Sequence, residues 1–327
     1  MRTVVGVLRG GPSSEYEVSL KSGAAILNAL DKEKYDARDL FVDKTGAWHS
    51  YGAPVTPERA LRGVDVVYNI IHGEYGEDGD LHQVLDAVNI PYTGSTSSVS
   101  KLVFNKQQTK DAVSKLGVKV PMGRIINYPR GGAQDFEELA RRIFRKLPLP
   151  MMIKPVIGGS SVGMTVAEDF YTLLAGLERA FAVSPQILIE EYIRGREATV
   201  GVIEHFRDER AYALMPVEII PPKEHKFFSY DAKYSGGTTE RVPGHFTEGE
   251  KLELERIAKA VHEALEVSHY SRSDFIISRR GIYFLEINNA AAVGMTEESL
   301  MPKAIRAVGS KLSDFTDHII NLAQNRR

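Results

Sequence analysis

The most constraining feature of this chain is an apolar strand that passes through glycines into a helix, a pattern that then recurs. Thr3 to Leu8 is a short apolar run that ends in Arg9-Gly10-Gly11-Pro12. Ser14 and Glu17 have the spacing of a capping box, which predicts a helix carrying Val18, Leu20, Ala24, Ile26 and Leu27. A second apolar strand, Asp65 to Ile71, runs into the loop His72-Gly73-Glu74-Tyr75-Gly76-Glu77-Asp78-Gly79, with a helix expected from Asp80 to Val88. This alternation points to an α/β sheet, in which ligands gather at the loops beyond strand C-termini.

The chain has 327 residues, and at roughly 150 residues per domain that suggests two or three domains. Hydrophobic residues make up 43% and charged residues 26%, enough apolar surface for a real core. Lys and Arg number 41 against 43 Asp and Glu, a net charge of −2. That balance argues against a general phosphate-backbone binder, so no nucleic-acid partner is expected. The absence of cysteine excludes disulfides, thiolate metal sites and Cys nucleophiles. No apolar run approaches the ~20 residues that span a bilayer, and Met1 to Gly10 lacks the apolar core of a signal peptide. A cytoplasmic protein with no membrane partner is the expectation.

Three blocks follow one another, with boundaries expected near 98 and 185: residues 1–98, 99–185 and 186–327. In the second block, Ser100 to Leu116 has helical spacing, with Val103, Phe104, Thr109, Val113 and Leu116 on or near one face. Asp135 and Glu138 make another capping box, before Leu139 to Leu147. Met151 to Lys154 reads as a strand entering Gly158-Gly159-Ser160-Ser161-Val162-Gly163, with Met164 to Ala167 after it. In the third block, Ile187 to Ile193 and Glu197 to Ile203 read as strands and Glu248 to Leu265 as a helix. Ser273 to Ser278 and Gly281 to Asn288 are further strands, and helical segments begin near Leu300. Pro221 to Phe246 has no apolar period, and a loop that long is either functional or disordered.

Several groups bear on chemistry. The glycine-rich loop can turn backbone N–H groups toward an anion, with Lys154 just before it. It is neither a Walker A loop nor a dinucleotide fingerprint, and an ordinary strand connection is the other reading. On a strand, Glu286 and Asn288 share a face, with Tyr283, Leu285 and Ile287 on the opposite one. Arg272 and Asp274 share a face of the preceding strand. If the two strands pair, Asp274, Glu286 and Asn288 converge as oxygen ligands suited to Mg²⁺, with Arg272 placed for a carboxylate or phosphoryl oxygen. The alternative is a solvated polar face on an edge hairpin. Glu15 in a first helical turn either meets a ligand or simply stabilises the helix. His72 at a strand end either faces a cleft or is structural. The long loop holds Lys223, Lys226, Lys233 and Tyr234, which either close over phosphates or solvate a mobile surface. Lys106 reads as a surface lysine from pattern alone.

Taken in order, these residues resemble those of a known family. The run comprises Gly10-Gly11-Pro12-Ser13-Ser14-Glu15, Glu17-Val18-Ser19-Leu20, His72-Gly73, Gly76-Glu77-Asp78-Gly79 and Pro91-Tyr92-Thr93-Gly94-Ser95. It continues with Lys154-Pro155, Gly159-Ser160-Ser161-Val162-Gly163-Met164, Gly195-Arg196-Glu197 and Lys233-Tyr234. Arg272 with Asp274, Glu286 with Asn288, and Gly294-Met295-Thr296 complete it. The chain resembles the D-alanine–D-alanine ligases of the ATP-grasp superfamily over nearly its whole length.

The resemblance implies an ATP-grasp fold of α+β lobes with an N-terminal doubly wound α/β domain and ATP between the later lobes. It implies ATP-dependent formation of D-alanyl-D-alanine through an acyl phosphate, for peptidoglycan precursors. Its partners would be two D-alanine molecules, ATP and a second copy in a homodimer, with two Mg²⁺ (or Mn²⁺) as cofactors. Lys106, Lys154 and Lys233 would contact phosphates. Glu190, Glu191, Ile193 and Glu197 would hold adenine and ribose. Asp274, Glu286 and Asn288 would hold the metals. Glu15, Val18 and His72 would receive the first D-alanine, and Ser160, Tyr234 and Glu15 would lock the long loop. Ser299 and Leu300 would receive the carboxylate of the second D-alanine. Arg272 and the Gly294 backbone would stabilise the tetrahedral oxyanion. Tyr234 goes with D-alanine rather than D-lactate as acceptor in this family.

One segment departs from the family. The usual Glu-x-Asn-Thr-x-Pro-Gly-Met-Thr here reads Glu286-Ile287-Asn288-Asn289-Ala290-Ala291-Ala292-Val293-Gly294-Met295-Thr296, without the proline and two residues longer between Asn288 and Gly294. Proline would stiffen that turn, so a displaced oxyanion donor or a reshaped acceptor pocket is expected. An ATP-grasp ligase with a different acceptor is therefore the alternative function.

Overall fold

The computed structural model describes residues 2–129, 135–159, 162–222 and 237–326. Three sheets organise them. The first contains β1 (Thr3–Gly10), β2 (Tyr35–Val42), β3 (Trp48–Ser50), β4 (Ala53–Val55) and β5 (Val66–Asn69), in the order β4-β3-β2-β1-β5. β1 is parallel to both neighbours. Its Val5 and Val7 face a core that includes Ile26 of the Tyr16–Ala29 helix, whereas Leu8 faces Leu81 and Leu85 of the Asp80–Ala87 helix. The period-two alternation of buried residues thus covers the sheet with helices on both faces.

The Ser14–Glu17 capping box does not form. The helix begins at Tyr16 with Glu15 at its N-cap and no side-chain cap. Ser13 acts instead: its Oγ accepts the Glu15 N–H at 3.1 Å and donates to the His72 carbonyl at 2.5 Å. The helix start is thereby tied to the loop after β5, a tertiary bond that local spacing does not reveal.

The second sheet contains β6 (Gly123–Asn127), β7 (Met151–Pro155), β8 (Thr165–Ala167) and β9 (Gln186–Glu191), antiparallel in the order β6-β9-β7-β8. The helices Phe136–Lys146 and Phe170–Phe181 bury Leu139, Ile143, Leu173 and Leu177 against Ile153 and Ile189. β9 begins just past the expected boundary at 185, yet it pairs with β6 and β7 rather than with the strands that follow it. An apolar run shows that a strand exists but not which sheet it joins.

The third sheet contains β10 (Arg196–Phe206), β11 (Glu209–Ala213), β12 (Val217–Ile220), β13 (Thr239–Arg241), β14 (Tyr270–Ser278) and β15 (Gly281–Asn289). Its order is β13-β12-β10-β14-β15, with β11 also on β10. β13 lies in the stretch where the sequence shows no period. The Glu248–Ala264 helix, opened by a true capping box between Thr247 and Glu250, packs on one face against Val200, Phe275 and Phe284. On the other face Tyr270 joins Phe315 and the first sheet's Val5 and Tyr68 in one core. The Tyr68 and Tyr270 hydroxyls stand 3.3 Å apart inside it.

The single helix expected over Ser100 to Leu116 is two, Ser97–Phe104 and Lys106–Ser114. Asn105 breaks it and caps the second, its Oδ1 accepting the N–H groups of Gln107 at 3.1 Å and Gln108 at 3.0 Å. Leu116 is exposed, contrary to the periodic reading. Val103 and Val113 are buried with Phe275 and Phe284, so this pair of helices packs on the third sheet.

Candidate active site

A cleft separates the second and third sheets. Met152 and Lys154 of β7 and Glu190 of β9 form one wall. Glu197 of β10, Ile219 of β12, Asp274 and Ile276 of β14 and Glu286 of β15 form the other. Glu191 and Ile193 lie at its rim. The Glu191 carboxylate is turned outward, accepting the Met122 N–H at 3.1 Å and pairing with Arg280 at 2.7 Å.

The hairpin that the sequence suggests does form, with Asp274 opposite Glu286 and Arg272 opposite Asn288. Arg272 donates to Asp274 from Nε and Nη2, both at 3.1 Å, and Asn288 Nδ2 reaches Asp274 Oδ2 at 3.0 Å. The Thr199 hydroxyl also donates to Asp274 and to the Ser273 carbonyl, which ties β10 into the cluster. One expectation fails here. The register shifts between Asp274 and Phe275, so Leu285 is a bulge residue. Leu285 therefore lines the cleft beside Glu286 instead of facing away from it. A period-two reading cannot see a bulge.

Among the described residues, no three His, Asp or Glu side chains are grouped closely enough to form a metal site by themselves. The set here is two carboxylates on paired strands plus an amide, all oxygen donors. Such a set suits Mg²⁺, which is commonly held by one or two carboxylates and completed by substrate phosphates. On that chemistry the residues fit the ion.

Three lysines from two elements gather at or behind the cleft wall, beside Glu190 and Glu286. Lys106 opens its helix, donates from Nζ to the Gly158 carbonyl at 2.5 Å and lies 3.8 Å from Glu286. It is not the surface lysine that pattern suggests. Lys154 pairs with Glu190 at 2.6 Å, and the other Glu190 oxygen pairs with Lys110. Lys110, Lys154 and Glu190 are at most 5% exposed. Burial disfavours the Glu190 charge, yet the two ammoniums hold its pKa below the usual value. Burial likewise opposes the Lys154 charge, but Glu190 more than restores it. Lys110 is pushed down to about 7, by burial first and then by Lys154. The sequence reading missed Lys110; the four-residue spacing from Lys106 was the available signal.

A second cluster of buried polar side chains forms where the first sheet meets the glycine-rich loop. Glu15 is buried at the N-cap, and Val18 is partly buried one turn later. A Cβ on Gly159 would collide with Glu15 Oε2. His72 Nε2 lies 3.3 Å from Ser22 Oγ, and its Nδ1 lies 4.0 Å from Glu77. Glu77, also missed, accepts the Gly73 N–H at 2.6 Å. Burial, then the nearby Glu15 charge, raises Glu77 to about 8. Burial lowers the His72 pKa despite Glu15. Burial thus favours the uncharged forms of both side chains.

The extended segment after Asn288 folds into a 3-10 turn, Ala290–Ala292. Ala290 and Val293 are fully buried in the core shared by the first and third sheets. Gly294 then stands next to Ser299: a Cβ on Gly294 would approach Ser299 Oγ to 2.8 Å. Ser299 stands at the N-cap of the Leu300–Ala307 helix without a side-chain cap bond, its Oγ instead accepting the Thr296 N–H at 3.2 Å. The turn thus absorbs the extra residues, and Gly294, Ser299 and Leu300 remain together. Ser160, Lys233 and Tyr234 lie outside the described residues.

Comparison with known proteins follows this geometry. The model of the D-ala D-ala ligase C-terminus matches residues 114–321, and that of the D-ala D-ala ligase N-terminus matches residues 4–59 and 50–95. A D-alanine–D-alanine ligase of Geotalea uraniireducens is 35% identical over 321 residues, covering 98% of this chain and 95% of the relative. The VanG D-Ala:D-Ser ligase of Enterococcus faecalis superposes with a TM-score of 0.84 at 27% identity, covering 99% of this chain and 100% of that one. D-alanyl-alanine synthetase A of Vibrio cholerae superposes with a TM-score of 0.82 at 25% identity, over 99% and 98% of the two chains.

Proposed function

The chain belongs to the D-alanine–D-alanine ligase family, with the ATP-grasp fold, and we propose that the cleft between its second and third sheets is where its reaction takes place. It is an ADP-forming ligase that joins two D-alanine molecules using ATP, a step of cell-wall synthesis. The observation that carries the site assignment is the cross-strand pair Asp274–Glu286, facing Lys154 across the cleft with Lys106 at its edge.

The chemistry runs in two steps. The carboxylate of the first D-alanine attacks the γ-phosphorus of ATP, the bond to the bridging oxygen breaks and ADP leaves. The amine of the second D-alanine attacks the acyl carbon, loses a proton and expels phosphate. The first step depends mainly on positioning and charge neutralisation. Lys106 and Lys154 supply positive charge beside the phosphates. Ile193 and Glu197 line the adenosine end, with Glu190 and Glu191 beside them. Asp274, Glu286 and Asn288 would hold Mg²⁺, which when bound neutralises phosphate charge.

Glu15 receives the ammonium of the first D-alanine, with Val18 and His72 lining its pocket. The acceptor carboxylate sits at the start of the Leu300–Ala307 helix, where N–H groups and the helix dipole favour an anion. Arg272 and the Gly294 N–H face the developing oxyanion. Arg272 is held for this by its two bonds to Asp274.

Residues 1–98 form the first lobe in this reading. The central lobe extends past 185 to include β9, because β9 pairs within that sheet. The two helices that begin at the boundary near 98 and end at Ser114 go with the C-terminal lobe on whose core they pack. Among the described residues no helix is long and apolar enough to cross a membrane. A cytoplasmic homodimer completes the proposal.

A second reading, a different acceptor, has one observation behind it. Ala292 of the added turn lines a small cavity with Lys106, Glu286 and Asn288. The test is Mg²⁺-ATP turnover, following phosphate release and product mass with D-alanine, L-alanine, D-serine and D-lactate, alone and mixed. Phosphate release matched to D-Ala-D-Ala supports the first reading. A dominant mixed product with D-serine or D-lactate supports the second. Phosphate release unaffected by any of them would overturn both.

A further inference from the structure

We infer that Lys110 is a positioning residue for the triphosphate: by holding one oxygen of Glu190 it keeps Lys154 from being fully neutralised and leaves it positive charge to meet ATP. This rests on the assignment of the cleft to ATP.

The geometry is specific. Lys110 sits four residues after Lys106 on the helix that Asn105 caps, so both side chains leave the same face. Lys106 is anchored at its own N–H, which donates to the Val156 carbonyl at 3.1 Å, just beyond β7. That bond sets the helix against β7 and β9. Lys110 then reaches Glu190 from behind, while Lys154 reaches it at 2.6 Å from β7. Lys154 and Glu190 line the cleft and Lys110 does not. Lys110 therefore acts through Glu190.

The electrostatics give this arrangement a direction. Two ammoniums share one carboxylate, and none of the three is more than 5% exposed. With both lysines protonated the set carries an uncompensated buried positive charge, an unfavourable state that an incoming anion relieves. Without Lys110, Glu190 is released to offer both oxygens to Lys154 and quench the charge that faces the cleft.

Lys110→Met removes the charge and keeps the length of the side chain. Isothermal calorimetry with Mg²⁺ and the non-hydrolysable analogue adenylyl imidodiphosphate should show at least tenfold weaker binding than wild type. Adenosine binding should weaken much less than analogue binding, because Glu190 stays beside the adenosine end, paired to Lys154, and only the phosphates meet Lys154. Lys110→Arg, which keeps the charge, should hold analogue affinity within threefold. In a Glu190→Gln background, Lys110→Met should have little further effect, since no carboxylate remains to be shared.

Equal weakening of adenosine and analogue, or unchanged analogue affinity in folded Lys110→Met, would overturn the inference. If Lys110→Met fails to fold, a Lys110→Arg protein that folds yet loses analogue selectively by tenfold would also overturn it. Wild-type protein that binds neither ligand would instead refute the assignment of the cleft.

Discussion

Glu15 Oε2 lies against the backbone of Gly159, so close that a side chain on that glycine would overlap it. The contact joins the helix start of the first lobe to the loop that leaves β7, and so joins the proposed first-substrate site to the proposed phosphate end of the cleft. Gly159→Ala should push the loop away by a fraction of an ångström or more. Misplacement on that scale can lower rates by about 100-fold. The expectation is a fall of roughly that size in kcat/KM for D-alanine with a small change in melting temperature, since the loop is not core. Activity within threefold of wild type would show that the contact has no role in catalysis.

Glu77 makes stability depend on pH in a defined direction. Its folded pKa is raised to about 8, well above an unfolded glutamate. The folded state therefore holds a proton that the unfolded state releases between these two values. The contribution is present in full at acid pH and is lost as pH rises through about 8. Denaturation curves between pH 5 and 8.5 should show falling stability, and Glu77→Gln should flatten that slope. An unchanged slope in the variant would assign the pH dependence to other groups.

Lys110 should make nucleotide affinity pH-dependent in the same sense. It faces Glu190 from β9 and Lys154 from β7, with Lys106 one turn back on its own helix. Its pKa is pushed down to about 7, so raising the pH above that value removes the surplus charge. Affinity for the Mg²⁺-bound analogue should fall several-fold between pH 6.5 and 8.5 in wild type. The decline should be distinctly shallower in Lys110→Met, and parallel titrations would refute the link.

Shortening the segment after Asn288 to the family's usual length should harm the protein. If the extra residues merely displaced the oxyanion donor, deletion with a restored proline would raise turnover. In the structure Ala290 and Ala291 are buried between the first and third sheets, and Ala290 Cβ stands 3.1 Å from where a Cβ on Gly94 would be. Deleting both opens a gap in that core. Loss of buried methyls and their packing is destabilising by about 1 kcal/mol or more. A lower melting temperature without a gain in turnover is expected, and faster turnover at unchanged stability would favour the displaced donor.

Removing one carboxylate of the hairpin tests the proposal that the cluster holds Mg²⁺. Asp274→Asn keeps the shape but weakens the bonds from Arg272 and Thr199 and removes one charge that would face Mg²⁺. Turnover should fall at least 100-fold, on the scale of losing one electrostatic stabiliser in a reaction site. Mg²⁺ titration should also require higher concentrations for half-activity. A variant with normal Mg²⁺ dependence would exclude Asp274 as a ligand.

Much of this site can be read in the sequence. Strands and helices of strong period stand where composition and spacing place them. Asp274, Glu286 and Asn288 converge because residues two apart on paired strands must share a face. What local pattern missed has a common cause. Asn105 divides a helix that period alone makes continuous, because its side chain offers the next turn a better partner. Ser13, not Ser14, fixes the first helix, because its hydroxyl also reaches the His72 carbonyl. The bulge at Leu285 returns an apolar residue to the cleft, and no alternation rule contains it.

The sequence by itself determined the element types, the order of the motifs and the family. Each depends on neighbours a few residues apart or on a linear pattern of residue types. Only the tertiary structure decided that β9 belongs with β6 and β7, that the helices from 97 to 114 pack on the third sheet, and that Lys110 and Lys154 share Glu190. These outcomes depend on which surfaces exclude water together and which buried charges find partners. That choice is made among groups far apart in the chain; Lys110 and Glu190 are separated by 80 residues. A buried lysine and a surface lysine look alike in sequence; desolvation and the carboxylate that meets it make them different.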